Sequence, residues 1–198
     1  MKKQLTLLTC SLTALGPANA SVIYTMNGSA LFEHDSDGTN SPAPLPSAGS
    51  AAVGSTGTFA WGNLSTDTTT NTAEFSGTTF SASDWGGDGT FTSTKINVSA
   101  FTEATITATG SSTFNNTPTE FFNFFYQMGD GAQVDFSSGT NPVIDVTGIT
   151  DLVVGFKFNH DGASDSASVS ALSVEAIPEP SNFLLGGLAL LSLFVRRR

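Results

Sequence analysis

The chain has 198 residues, with 17 Asp and Glu against 7 Lys and Arg and 39% hydrophobic residues, which fits one compact domain rather than a highly charged disordered chain. Most of the cations sit at the ends (Lys2, Lys3, Arg196, Arg197, Arg198), leaving Lys95 and Lys157 in the body. That excludes a nucleic-acid partner, because phosphates must be neutralised by clustered cations. The single cysteine, Cys10, lies in a segment expected to be removed, so the mature protein has neither disulfides nor thiolate metal sites.

Residues 1–20 have each part of a secretory signal peptide. Lys2 and Lys3 supply the positive start, residues 5–15 the short apolar stretch, and Ala18 and Ala20 the small residues that flank a cleavage point before Ser21. Cys10 is preceded by Leu8 and Thr9 rather than by small residues, which argues against lipoprotein processing.

From 21 to 176 short runs rich in Val, Ile, Thr and Phe alternate with Gly, Asn, Asp and Pro clusters, and no stretch carries helical periodicity. The expected fold is all-β, a single jelly-roll-like β-sandwich. Strands are expected near 22–26, 58–62, 73–80, 90–98, 103–109, 121–127, 133–136, 143–147, 153–158 and 168–174. Ala104, Ile106 and Ala108 share one face of a strand and Thr105, Thr107 and Thr109 the other, while Val154, Phe156 and Phe158 repeat the pattern. Residues 36–57, with Pro42, Pro44 and Pro46 among Ser, Ala and Gly, read as a long loop. The aromatics of Phe121-Phe122-Asn123-Phe124-Phe125-Tyr126 point to both faces of a strand and predict a central strand covered on both sides. Trp61 and Trp85 are the candidates for stacking on sugar rings, with burial in the core as the competing fate.

Residues able to do chemistry are few. His34-Asp35 and His160-Asp161 could each pair a base with an acid, but no Gly-x-Ser-x-Gly elbow presents a nucleophile, and surface loops are the simpler reading. Glu33, Glu74, Glu103, Glu120 and Glu175 could supply paired carboxylates for glycoside hydrolysis, although spacing does not bring any two of them together. No catalytic residue is assigned, and no cofactor. A structural calcium site is left open: Asp35-Ser36-Asp37-Gly38-Thr39-Asn40 begins like a hand-type loop, but Pro46 stands where the bidentate Glu belongs. Asp130-Gly131 and the stretch from Asp161 to Asp165 read as acidic turns, where backbone preference alone favours these residues.

The C-terminal stretch reads Ala176-Ile177-Pro178-Glu179-Pro180, then an uncharged apolar run over 183–195, then Arg196-Arg197-Arg198. As a helix that run spans about 20 Å, against roughly 30 Å of bilayer hydrocarbon, so it is a weak anchor alone. Cations that follow an apolar run stay on the cytoplasmic side, which places the body outside. Prolines 178 and 180 keep the segment before it extended.

This order of motif, apolar helix and arginine cluster resembles the PEP-CTERM sorting signal of Gram-negative bacteria, the tail handled by membrane protease-transferases called exosortases. Tails of this type also carry the label ice-binding protein C-terminal domain, which describes the tail and not an activity. The resemblance covers residues 177–198 and implies that Pro178, Glu179 and Pro180 are the sorting motif and Arg196, Arg197 and Arg198 the retention cluster. It implies a membrane-anchored precursor, held by the helix until an exosortase-type enzyme processes it, then a protein at the cell surface or in the extracellular matrix.

The functional expectation is a non-enzymatic exported protein of a biofilm-like matrix, with extracellular polysaccharide as a partner. A carbohydrate-binding module that uses Trp85 or other exposed aromatics is the alternative, and a secreted hydrolase the third reading. Exposure of the tryptophans separates the first two.

Overall fold

Fourteen strands and no helix make up the described residues of this computed structural model, which are 19–34, 48–62, 64, 71–114, 119–160 and 165–179. All pairings are antiparallel and form two 7-stranded sheets. The first runs β12 (Val143–Asp145), β9 (Phe101–Thr113), β14 (Ser166–Pro178), β6 (Thr79–Ser83), β5 (Asn71–Gly77) and β2 (Gly28–His34), with β1 (Ser21–Thr25) also on β14. The second runs β11 (Val134–Phe136), β10 (Phe121–Met128), β13 (Asp151–Asn159), β7 (Asp88–Ser93), β4 (Gly57–Gly62) and β3 (Gly49–Val53), with β8 (Ile96–Asn97) also on β13.

Period-two alternation puts one face of each sheet inward. Ala104, Ile106 and Ala108 are fully buried in β9, as are Val154 and Phe156 in β13, and the intervening residues face out. Rings from the two sheets meet: Phe75 lies 5.4 Å from Phe91, and Phe80 lies 4.7 Å from Phe156, centroid to centroid. Two antiparallel sheets thus share one core, an arrangement compatible with a β-sandwich. Burial of each such ring contributes roughly 1.5–3 kcal/mol relative to leaving it in water.

The structure corrects several expected boundaries. The loop expected over 36–57 contains β3, whose residues Gly49 to Val53 pair one for one with β4. Its Gly-Ser-Ala-Ala-Val sequence has weak strand preference, and the partner strand decides its conformation. Small size is required there, since a Cβ on Gly49 would come 2.7 Å from the Trp61 ring. Strand β2 was not expected from the sequence. The single strand expected at 73–80 is a hairpin of β5 and β6, turned at Gly77 with φ +58°, a conformation that costs glycine little. The strand expected at 90–98 is two, β7 and β8, separated at Thr94 and Lys95.

The segment from Phe121 to Tyr126 is not central: β10 lies between β13 and the short β11, next to the sheet edge. Both of its faces are nonetheless partly covered. Phe124 is buried inward against Phe136 and Phe156. Phe125 is buried on the outward side opposite Gly155, whose missing side chain leaves the space its ring takes up. Strand β14 also runs past the expected body boundary at 176, as far as Pro178.

Candidate sorting site and the His160 end

Strand β14 is held along its length by β9, and on its other side by β6 from Ser166 to Val169 and then by β1 from Ser173 to Ala176. Its alternation buries Leu172, Val174 and Ala176, so the core continues to the last residue before Ile177-Pro178-Glu179. Ile177 sits opposite Glu103, and Pro178 opposite Phe101 across a register irregularity. Pro178 has no N–H to donate, and the hold passes to Glu179, whose N–H donates to the Ala100 carbonyl at 3.0 Å while the residue stays exposed. At the other terminus Ala20 is exposed and Ser21 starts β1 as the register partner of Ala176. The expected signal cleavage point and the first residues of the motif therefore emerge from adjacent strands. Ala18, Pro180, Arg196, Arg197, Arg198 and the apolar run 183–195 lie outside the described residues.

Both lysines of the body are engaged. Lys157 pairs with Asp135 at 2.8 Å, with its ammonium 6.0 Å from the Phe125 ring centroid, and Lys95 pairs with Asp151 at 3.3 Å. The strands of the first sheet carry Glu33, Glu74, Glu103, Asp145 and Glu175 and no Lys or Arg. These acids stand on outward positions, so four of the five glutamates weighed for glycoside hydrolysis, Glu33, Glu74, Glu103 and Glu175, face away from the core. Glu120 belongs to the His160 end described below.

Trp61 and Trp85 are not stacking platforms. Trp61 is 8% exposed and Trp85 0%, and the Trp85 indole N–H donates to the Asp88 carbonyl at 3.3 Å. Trp85 packs edge-on against Phe59, 5.8 Å away, so neither tryptophan is offered to a sugar ring.

At the Trp85 end the backbones of His160 and Asp165 are bonded to the turn from Asp84 to Gly87, and Glu120 lies near enough to His160 to act on its charge. Asp84 adopts φ +49°, its N–H donates to the Asp165 carbonyl at 2.9 Å, and the His160 N–H donates to the Gly87 carbonyl at 3.1 Å. The surface loop expected around His160 is corrected: its side chain is 1% exposed, 4.8 Å from the Phe158 ring and 5.7 Å from Phe114. Among the described residues neither ring nitrogen has a hydrogen-bond partner. Burial lowers its pKa from 6.5 to about 4, with the nearby Glu120 charge opposing, so the ring is neutral near pH 7. The signal for this was present in the sequence, since 160 continues the inward series 152, 154, 156, 158.

His34 has its backbone in β2, while its side chain, Asp35 and Asp161 lie outside the described parts, as does the calcium-like stretch from Asp35 to Pro46. Among the described residues no three His, Cys, Asp or Glu side chains come together as a metal site, and no helix is long and apolar enough to cross a membrane. Neither a protein-family model nor a curated protein matches the chain.

Proposed function

We propose that this chain is a non-enzymatic exported protein of a Gram-negative bacterium, carried out by its signal peptide and sorted through a PEP-CTERM-like tail. Its body is a single jelly-roll-like β-sandwich that serves as a structural or adhesive component at the cell surface or in the extracellular matrix. The observation that carries the reading is the junction at Ala176: the buried core stops there, and the motif-bearing segment follows without a linker. A body delimited this closely by the two expected addresses supports an export and sorting route. Extracellular polysaccharide is the proposed partner. Because the body is acidic and both its lysines are paired, binding to an anionic polymer would need divalent bridges.

Intact-mass measurement on membrane, surface and medium fractions of an exosortase-bearing host tests the sorting reading. Loss of residues 1–20 together with the segment beyond Pro180 is the expected result. Mature protein that keeps residues 183–198 would mean an ordinary membrane anchor. A polysaccharide pull-down with and without chelator tests the partner: capture should vanish with the chelator, and calcium-independent capture, or none, refutes the bridging.

A further inference from the structure

The chain enters the body at Ser21 and leaves it at Glu179, and these points are neighbours through the pairing of Ser21 with Ala176. Between Ser173 and Ala176, β14 is bonded by a strand on each side. Beyond Ala176 the β9 side alone holds it, through Ile177 and Pro178 and finally the bond from Glu179 N–H to Ala100 C=O. Enzymes that cut peptides commonly take the substrate as an extended strand and bond its backbone over several residues. A segment already bonded into a sheet cannot offer those groups until it peels away.

We infer that the folded body itself sets a limit to C-terminal processing: the clamp of β1, β14 and β9 withholds the backbone from Ser173 through Glu179. The partner concerned is a peptide-cleaving enzyme, which the clamp keeps off the bonds before Glu179, a role that rests on the sorting reading. The physical clamp does not depend on that reading.

The test uses the full-length chain in detergent micelles. Digestion with a broad-specificity protease, followed by intact mass, should leave a resistant body that ends at Glu179 or later. Hydrogen exchange at the Glu179 amide should be at least about tenfold slower than in a peptide of residues 174–182. A body that ends before Pro178 at the earliest time points, or an amide that exchanges at the peptide rate, overturns the clamp. Glu179→Pro deletes the terminal donor and should let cuts appear between Ala176 and Pro178 several-fold faster; an unchanged boundary and rate also overturns it. In the host, a processed product that ends before Pro178 overturns the clamp. Retention of residues 183–198 there, with the resistant body intact in micelles, overturns the sorting reading and leaves the clamp standing.

Discussion

The core has an aromatic half and an aliphatic half that join the same sheets by different means. Around β4, β5, β6, β7 and β13, the rings of Phe59, Phe75, Phe80, Phe91, Phe156 and Phe158 meet at centroid distances of 4.7 to 6.4 Å. Glycine makes room for them: a Cβ on Gly89 would run into the Phe158 ring. Around β1, β9 and the C-terminal part of β14 the buried residues are Ala104, Ile106, Ala108, Leu172, Val174 and Ala176, with Tyr24 as the one aromatic ring among them. Here long backbone register, rather than ring shape, provides much of the hold, and this is the half that delivers both chain ends. The difference teaches that the aromatic half should be intolerant of changes in volume, while the aliphatic half should depend more on backbone hydrogen bonding.

The largest expected effect is at Phe156, which touches the rings of Phe75, Phe80, Phe91, Phe122 and Phe124. Phe156→Ala should cost about 4 kcal/mol in urea unfolding, whereas Ile106→Val in the aliphatic half should cost about 1 kcal/mol. Similar losses at the two sites would break the comparison.

Acid comes next. The folded pKa of His160, about 4, lies below its unfolded value near 6.5, so between those values the unfolded chain binds more protons and stability rises with pH. The contribution is fully present above about pH 6.5, is lost as pH falls towards 4, and amounts to about 3 kcal/mol as an order of magnitude. Urea midpoints at pH 7, 5.5 and 4 should fall for the natural chain and fall less for His160→Leu. Equal slopes would show that the buried imidazole is not what responds to acid.

Gly155→Ala is the sharper test of the outward-facing Phe125. Its Cβ would meet the Phe91 carbonyl oxygen, which is backbone and cannot rotate away, as well as the Phe125 ring at 2.5 Å. A loss of about 2 kcal/mol is expected. A change within experimental scatter would mean that the ring can leave this position without cost. The smallest effect belongs to Tyr24, whose hydroxyl donates to the Thr56 carbonyl at 3.1 Å between the two sheets. Tyr24→Phe should cost about 1 kcal/mol, measured by the same unfolding curves. A loss well above that would mean that this side-chain hydrogen bond, and not the backbone register, carries the aliphatic half.

Strands that alternate cleanly were legible before any coordinates. The inward series from 104 to 108 and from 154 to 158 needs only the pleat and an apolar interior. Strand β2 and the small-residue strand β3 were not, because Gly, Ser and Ala carry little local preference and become strand by pairing with β5 and β4. The hairpin at Gly77 was hidden for a similar reason: one glycine within an alternating run marks either a bulge or a turn, and φ decides which.

The candidate site divides in the same way. Sequence by itself determined the all-β class, and it carries the apolar runs, charge order and Pro178-Glu179-Pro180 on which the two proposed addresses rest, because hydropathy, charge order and proline chemistry are local properties. Tertiary structure alone decided that Trp61 and Trp85 are buried rather than offered to a ligand, that the His160 ring is shut away with neither nitrogen hydrogen-bonded among the described residues, and that Ser21 and Glu179 leave from adjacent strands. Each of these depends on which strand lies beside or above another, and that is settled by packing of residues far apart in the chain.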